Sequence, residues 1–99
     1  MKTDSVLEKV LSSGNLAVTS ECGPPRGAAV DKVKKKAEML KGVVDAVNVT
    51  DNQTAMVRMS SFAAGVFLRQ MDLHPILQMV TRDRNRLAMQ ADILGAYTH

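Results

Sequence analysis

The ends of the apolar, β-branched segments recur at an almost constant interval. Glu21, Thr50 and Gln78 each stand at or near the end of such a segment, 29 and 28 positions apart. Between them lie helix-period stretches, so the chain reads as a short helix followed by three strand–helix units. That alternation calls for parallel strands joined by helical crossovers, because a parallel pair needs a long connection. Two architectures satisfy it: an open doubly wound sheet and a closed (β/α) barrel.

The expected elements follow from periodicity and breakers. Residues 5–13 carry Val6, Leu7, Val10 and Leu11 on one helical face, with Gly14 to end it. Residues 15–21 read as a strand closed by Gly23-Pro24-Pro25-Arg26-Gly27. A helix is predicted over 29–41, with Val30, Val33, Ala37 and Leu40 as its buried stripe and Gly42 past its end. The lysine run Lys34-Lys35-Lys36 reads as its wet side. Residues 43–49 form a second, nearly continuous apolar strand, as strands covered on both faces do. A third helix is predicted over 56–70, burying Met59, Phe62, Ala63, Val66 and Phe67. His74-Pro75 opens a third strand, 76–80, and a last helix over 84–96 buries Leu87, Ala88, Ala91 and Leu94. The methionines fill gaps on these faces.

Ninety-nine residues make one small domain at most. A barrel needs eight such units and about 250 residues, so three units leave a sheet with bare edges, which invite association. Such a chain either pairs with others or is a piece of something longer, and the expectation is the piece.

Composition removes several classes. The net charge is +3 and the only aromatics are Phe62, Phe67 and Tyr97, poor material for stacking bases, so no nucleic-acid partner is expected. No apolar stretch approaches the ~20 residues of a membrane helix, and the charged start does not resemble a signal peptide. The one cysteine, Cys22, suits a reducing compartment and reads as a buried or half-buried thiol. A cytoplasmic protein without a membrane partner is expected. No metal-ligand spacing, phosphate-cradling glycine loop or nucleophile–histidine pair is present.

In parallel β/α architectures chemistry gathers at the carboxyl ends of the strands. The polar residues there are Glu21, then Asn48, Thr50, Asp51 and Asn52, then Gln78, Thr81, Arg82 and Asp83. Glu21 reads either as a functional carboxylate or as a solvated or capping residue. Thr50 and Asp51 are site residues or turn and cap formers. Gln78, inside an apolar run, is either a satisfied core amide or a ligand contact. Asp83, Arg84 and Arg86 read as a cap and a solvated face rather than an anion site. His74 lies at the wrong end of its strand for catalysis.

Three motifs narrow this further. Ala17-Val18-Thr19-Ser20-Glu21-Cys22-Gly23-Pro24-Pro25 resembles the first-strand signature of methylenetetrahydrofolate reductases. Ala46-Val47-Asn48-Val49-Thr50 resembles the second. Gln78-Met79-Val80-Thr81-Arg82-Asp83-Arg84-Asn85-Arg86, with Leu94-Gly95-Ala96 after it, is similar to the third-strand segment of one bacterial branch. The resemblance runs from about Leu7 onward. It implies that residues 1–99 are one domain, the N-terminal portion of a (β/α)8 TIM barrel holding FAD, with self-association or association with the remainder of the barrel. It also implies reduction of methylenetetrahydrofolate to methyltetrahydrofolate with NADH or NADPH as electron donor. It implies that Glu21 is the general acid, since a carboxyl group at a partly dry barrel mouth can hold a proton near neutral pH. It implies that Thr50 contacts the flavin and that Gln78 does so where many relatives carry histidine. Asp51 and Asn52 also depart from the better-known members. The family's Arg/Thr-Gly-Asp turn after the fourth strand and its later folate and flavin contacts are absent, so the chain alone is expected to be inactive. Two other readings stand beside it. One is a binding or assembly module completing a split or oligomeric barrel. The other is an unrelated small β/α enzyme using Glu21 and Thr50 on a phosphorylated or pterin-like ligand.

Overall fold

The computed structural model describes residues 3–99. Its elements are α1 (Val6–Ser12), β1 (Thr19–Cys22), α2 (Val30–Leu40), β2 (Ala46–Val49), α3 (Ser61–Gln70), β3 (Pro75–Leu77) and α4 (Arg86–Tyr97), with single 3-10 turns at Gln53–Ala55 and Thr81–Asp83. The sheet has the order β1-β2-β3, and both pairings are parallel. Glu21 stands opposite Asn48, and Asn48 opposite Ile76; Cys22, Val49 and Leu77 form the next row.

One core unites this sheet with two helices. Cys22, Val47 and Val49 pack with Val33 and Ala37 of α2 and with Ala64 and Leu68 of α3. Cys22, Val47 and Val49 share one face of the pleat, so both crossover helices lie on that face. Successive strands in sequence order with their helices on one side are what a singly wound β/α repeat produces. One half of a doubly wound sheet, before its strand order reverses, carries its helices in the same way, so both architectures contain this unit. On the opposite face Thr19 and Glu21 are exposed, and Asn48 and Ile76 are half-buried.

The α2 stripe is as expected: Val33 and Ala37 are buried and Val30 and Leu40 partly so; the helix ends where Lys41 turns extended, and Gly42 takes the left-handed φ of 77° in the turn that follows. The strands are shorter than the apolar runs. Leu16, Val18 and Val43, expected inside strands, are exposed, because a ladder extends only as far as its neighbour does. Val80, expected inside the third strand, lies beyond β3, which ends at Leu77.

Two helices differ more. The third helix begins at Ser61, not at 56: the Ser60 side chain accepts the Ala63 N–H (3.1 Å), and the preceding turn holds Asn52, Thr54 and Ala55 at positive φ. Its buried residues are Ser61, Ala64, Gly65 and Leu68, whereas Met59, Phe62, Ala63, Val66 and Phe67 are only half-buried. The helix lies so near β3 that a Cβ at Gly65 would collide with Leu77; small side chains occupy the contact and large ones flank it. The fourth helix begins at Arg86, with Asn85 accepting the Ala88 N–H (2.8 Å), and none of its residues is buried. Leu87, Ala88, Ala91 and Leu94 face solvent, since no further strand among the described residues lies beneath them.

Candidate functional site

Parallel register brings the ends of β1, β2 and β3 to one edge of the sheet. Glu21 is the penultimate residue of β1, Thr50 follows β2 directly, and Gln78 follows β3, its N–H donating to Val49 O (3.1 Å). All three line one cleft of about 290 Å³, together with Asp51, Asn52 and Arg82 from the loops. His74 lies at the other end of β3, where its carbonyl accepts the Val47 N–H (2.9 Å).

The three side chains meet different surroundings. Thr50 is 5% exposed, and its Oγ1 is buried without a hydrogen-bond partner. An unpartnered buried hydroxyl costs free energy, which a ligand group can recover. Gln78 is exposed, so of the two readings the buried core amide is excluded. Glu21 is also exposed; the three strands do not supply the dry mouth expected of a proton-holding acid.

The walls of the cleft are tied together by residues whose roles the sequence did not reveal. Asp51 is neither a helix cap nor a solvated turn residue. Its carboxylate accepts the Val80 N–H (2.8 Å) and both terminal nitrogens of Arg84, one at 3.1 Å. Its side chain is fully buried and that of Arg84 only 14% exposed. The Arg84 hydrogen bonds hold the Asp51 carboxyl below the usual carboxylate range, helped by the Val80 N–H and opposed by burial; Asp51 in turn raises the Arg84 guanidinium. Arg84 is thus no part of a solvated face. The capping expected of Asp83 falls to Asn85, while Asp83 pairs with the adjacent Arg82 (2.7 Å) at the surface.

Arg58 is a second such residue. Its Nη1 donates to Pro24 O (3.1 Å), and Met59 N donates to Pro25 O (2.8 Å), which docks the β2–α3 loop on the Pro-Pro turn after β1. Both prolines are buried. No local spacing signals these pairings, because each partner lies some thirty residues away. Cys22 is buried, and burial pushes its thiol up while Lys36 pulls it down less strongly.

A larger hollow of about 420 Å³ lies between α3, β3 and the end of α4, walled by Phe62, Val66, Pro75 and Leu77. It holds none of Glu21, Thr50 and Gln78. Among the described residues no group of three or more His, Cys, Asp or Glu could hold a metal, and no helix is long and apolar enough to cross a membrane. No protein-family model, curated protein or solved structure matches the chain.

Proposed function

We propose that the chain forms three β/α units of a flavin-dependent methylenetetrahydrofolate reductase barrel, with Glu21 as general acid and Thr50 and Gln78 as flavin contacts. The observation that carries this reading is the convergence of Glu21, Thr50 and Gln78 on one cleft at the carboxyl edge of a parallel sheet. The motif resemblance supplies the chemistry; the geometry supports it by bringing together the three residues it singles out. The donor set fits part of a flavin: an unpartnered buried hydroxyl at Thr50 and an exposed amide at Gln78 offer hydrogen bonds to a ring edge. Bound FAD would supply the hydride relay between nicotinamide and folate. In this chain Glu21 delivers a proton to the folate, and Thr50 and Gln78 orient the ring.

A cleft of about 290 Å³ is smaller than a whole dinucleotide requires. Further strands complete the mouth, cover the open sheet face and dry the surroundings of Glu21. On this reading the isolated chain has no turnover. Joining residues 1–99 to the last five β/α units of a reductase of this family tests it. Restored flavin absorbance and NADH- or NADPH-dependent turnover, lost in Glu21→Gln with flavin retained, is the expected result. Turnover by the 99-residue chain alone, or full activity in the joined Glu21→Gln protein, overturns the reading.

A second reading is an assembly module, favoured by the outer edges of β1 and β3, which have no strand beside them among the described residues. It requires association with another copy or with a separate remainder of the barrel. A strict monomer by light scattering at high concentration, with and without that remainder, excludes it.

A further inference from the structure

We infer that Arg84 is a latch that sets the shape of the cleft, acting as a positioning residue through Asp51 and Asp92 rather than touching a ligand. The cleft has two principal walls. One is the segment after β2, with Thr50 and Asn52; the other is the segment after β3, with Gln78 and Val80. Asp51 belongs to the first wall, yet one of its carboxylate oxygens takes the Val80 N–H of the second. Arg84 then grips both oxygens of that carboxylate with its planar fork and returns Nη1 to the Val80 carbonyl (3.3 Å). Its remaining nitrogen, Nε, lies 3.4 Å from Asp92 of α4. All three guanidinium nitrogens are therefore used, on three separate pieces of chain.

Beyond the ladder bond from Gln78 N–H to Val49 O (3.1 Å), which ends at the base of the cleft, the other tie between the loops is weak. Arg82 Nη2 reaches Asn52 O at 3.4 Å, long for such a bond, and is half-exposed and shared with Asp83. No α4 residue is buried, so that helix has little apolar packing to hold it. The pair is nevertheless shielded from water, and a guanidinium–carboxylate fork there has one favourable geometry. The latch concerns the shape of the mouth and stands whether or not a flavin occupies it.

Amide hydrogen exchange on the 99-residue chain tests this, comparing the wild type with Arg84→Gln. Asp51 keeps its Val80 bond in that variant and loses the fork. Amides of residues 52–58, 78–80 and 86–92 are expected to exchange at least about tenfold faster, while those of Val33, Ala37 and Leu68 keep their protection. Arg84→Lys, which keeps the charge without the fork, is expected to give the same pattern with a smaller change. Unchanged exchange at 52–58 and 78–80 overturns the latch. So does a uniform acceleration over the whole chain, or unfolding of both variants, since the pair would then support the fold and not the mouth. Flavin retention by the joined barrel decides the flavin contact, and the exchange pattern of the 99-residue chain decides the latch, so the two readings fail separately.

Discussion

Val80 donates its main-chain N–H to the Asp51 carboxylate across 2.8 Å, although the two residues are 29 positions apart. The bond joins successive β/α units at the edge where the cleft opens, and Arg84 holds the same carboxylate ionised. The folded value of Asp51 is depressed, so its charged form is favoured by folding. Its contribution is present above the ordinary aspartate value of about 3.9 and is lost as pH falls through the lower folded value. Asp51→Asn is therefore expected to cost about 3 kcal/mol near pH 7, as removing one partner of a buried pair does. The gap to wild type should close toward pH 2. Urea midpoints measured across that range check it; a gap independent of pH refutes the assignment.

The buried, unpartnered hydroxyl of Thr50 sets stability against function. Valine has the same shape without the group that goes unsatisfied. Thr50→Val should leave the urea midpoint unchanged or raise stability by up to about 1 kcal/mol. In the joined barrel it should weaken flavin retention. A loss of more than about 1 kcal/mol would mean that the hydroxyl has a partner in solution.

The repeat and the convergence were legible in the sequence because both follow from one regularity. Segments about thirty residues apart that run parallel bring equivalent positions side by side, and so Glu21, Thr50 and Gln78 meet. The Asp51–Arg84 pair was not legible: each residue has a plausible local role, turn former or surface charge, and only the fold sets them against each other. The same holds for α3, where apolar size pointed to Phe62 and Phe67 and close approach selected Ala64 and Gly65.

Leu68 and Leu94 make that difference measurable. Both occupy apolar stripes, but Leu68 is fully buried and Leu94 is 73% exposed. Leu68→Ala should cost about 2–5 kcal/mol, enough to threaten a domain of this size. Leu94→Ala should stay within about 0.5 kcal/mol. Equal losses in the 99-residue chain would show that α4 packs on something in solution.

Cys22 sits in the core beside Val49, and burial raises its thiol above the ordinary value. Both lack of access and scarcity of thiolate slow its modification. A thiol-disulfide reagent at pH 8 should label the native chain at least about a hundredfold more slowly than the urea-unfolded chain, because reaction waits on opening of the core. Rapid native labelling would place the side chain at the surface.

Gly65 and Leu77 define how closely α3 approaches β3. An added Cβ at Gly65 would meet the Leu77 methyl first, with Leu77 Cγ at 3.5 Å and Pro75 Cβ at 3.7 Å behind it. The methyl ends a side chain that borders the 420 Å³ hollow, so it has room to turn away. Alanine also gains about 1 kcal/mol of helix propensity over glycine. Gly65→Ala should therefore stay within about 1 kcal/mol of wild type. Valine adds two more carbons toward the Pro75 ring, which cannot rotate aside, and β-branching stiffens it within the helix. Gly65→Val should cost about 1–3 kcal/mol in urea unfolding, and more than Gly65→Ala in any case. Should valine prove as benign as alanine, the helix stands farther from the strand than these distances allow, and crowding cannot be what selects small residues on the buried face of α3.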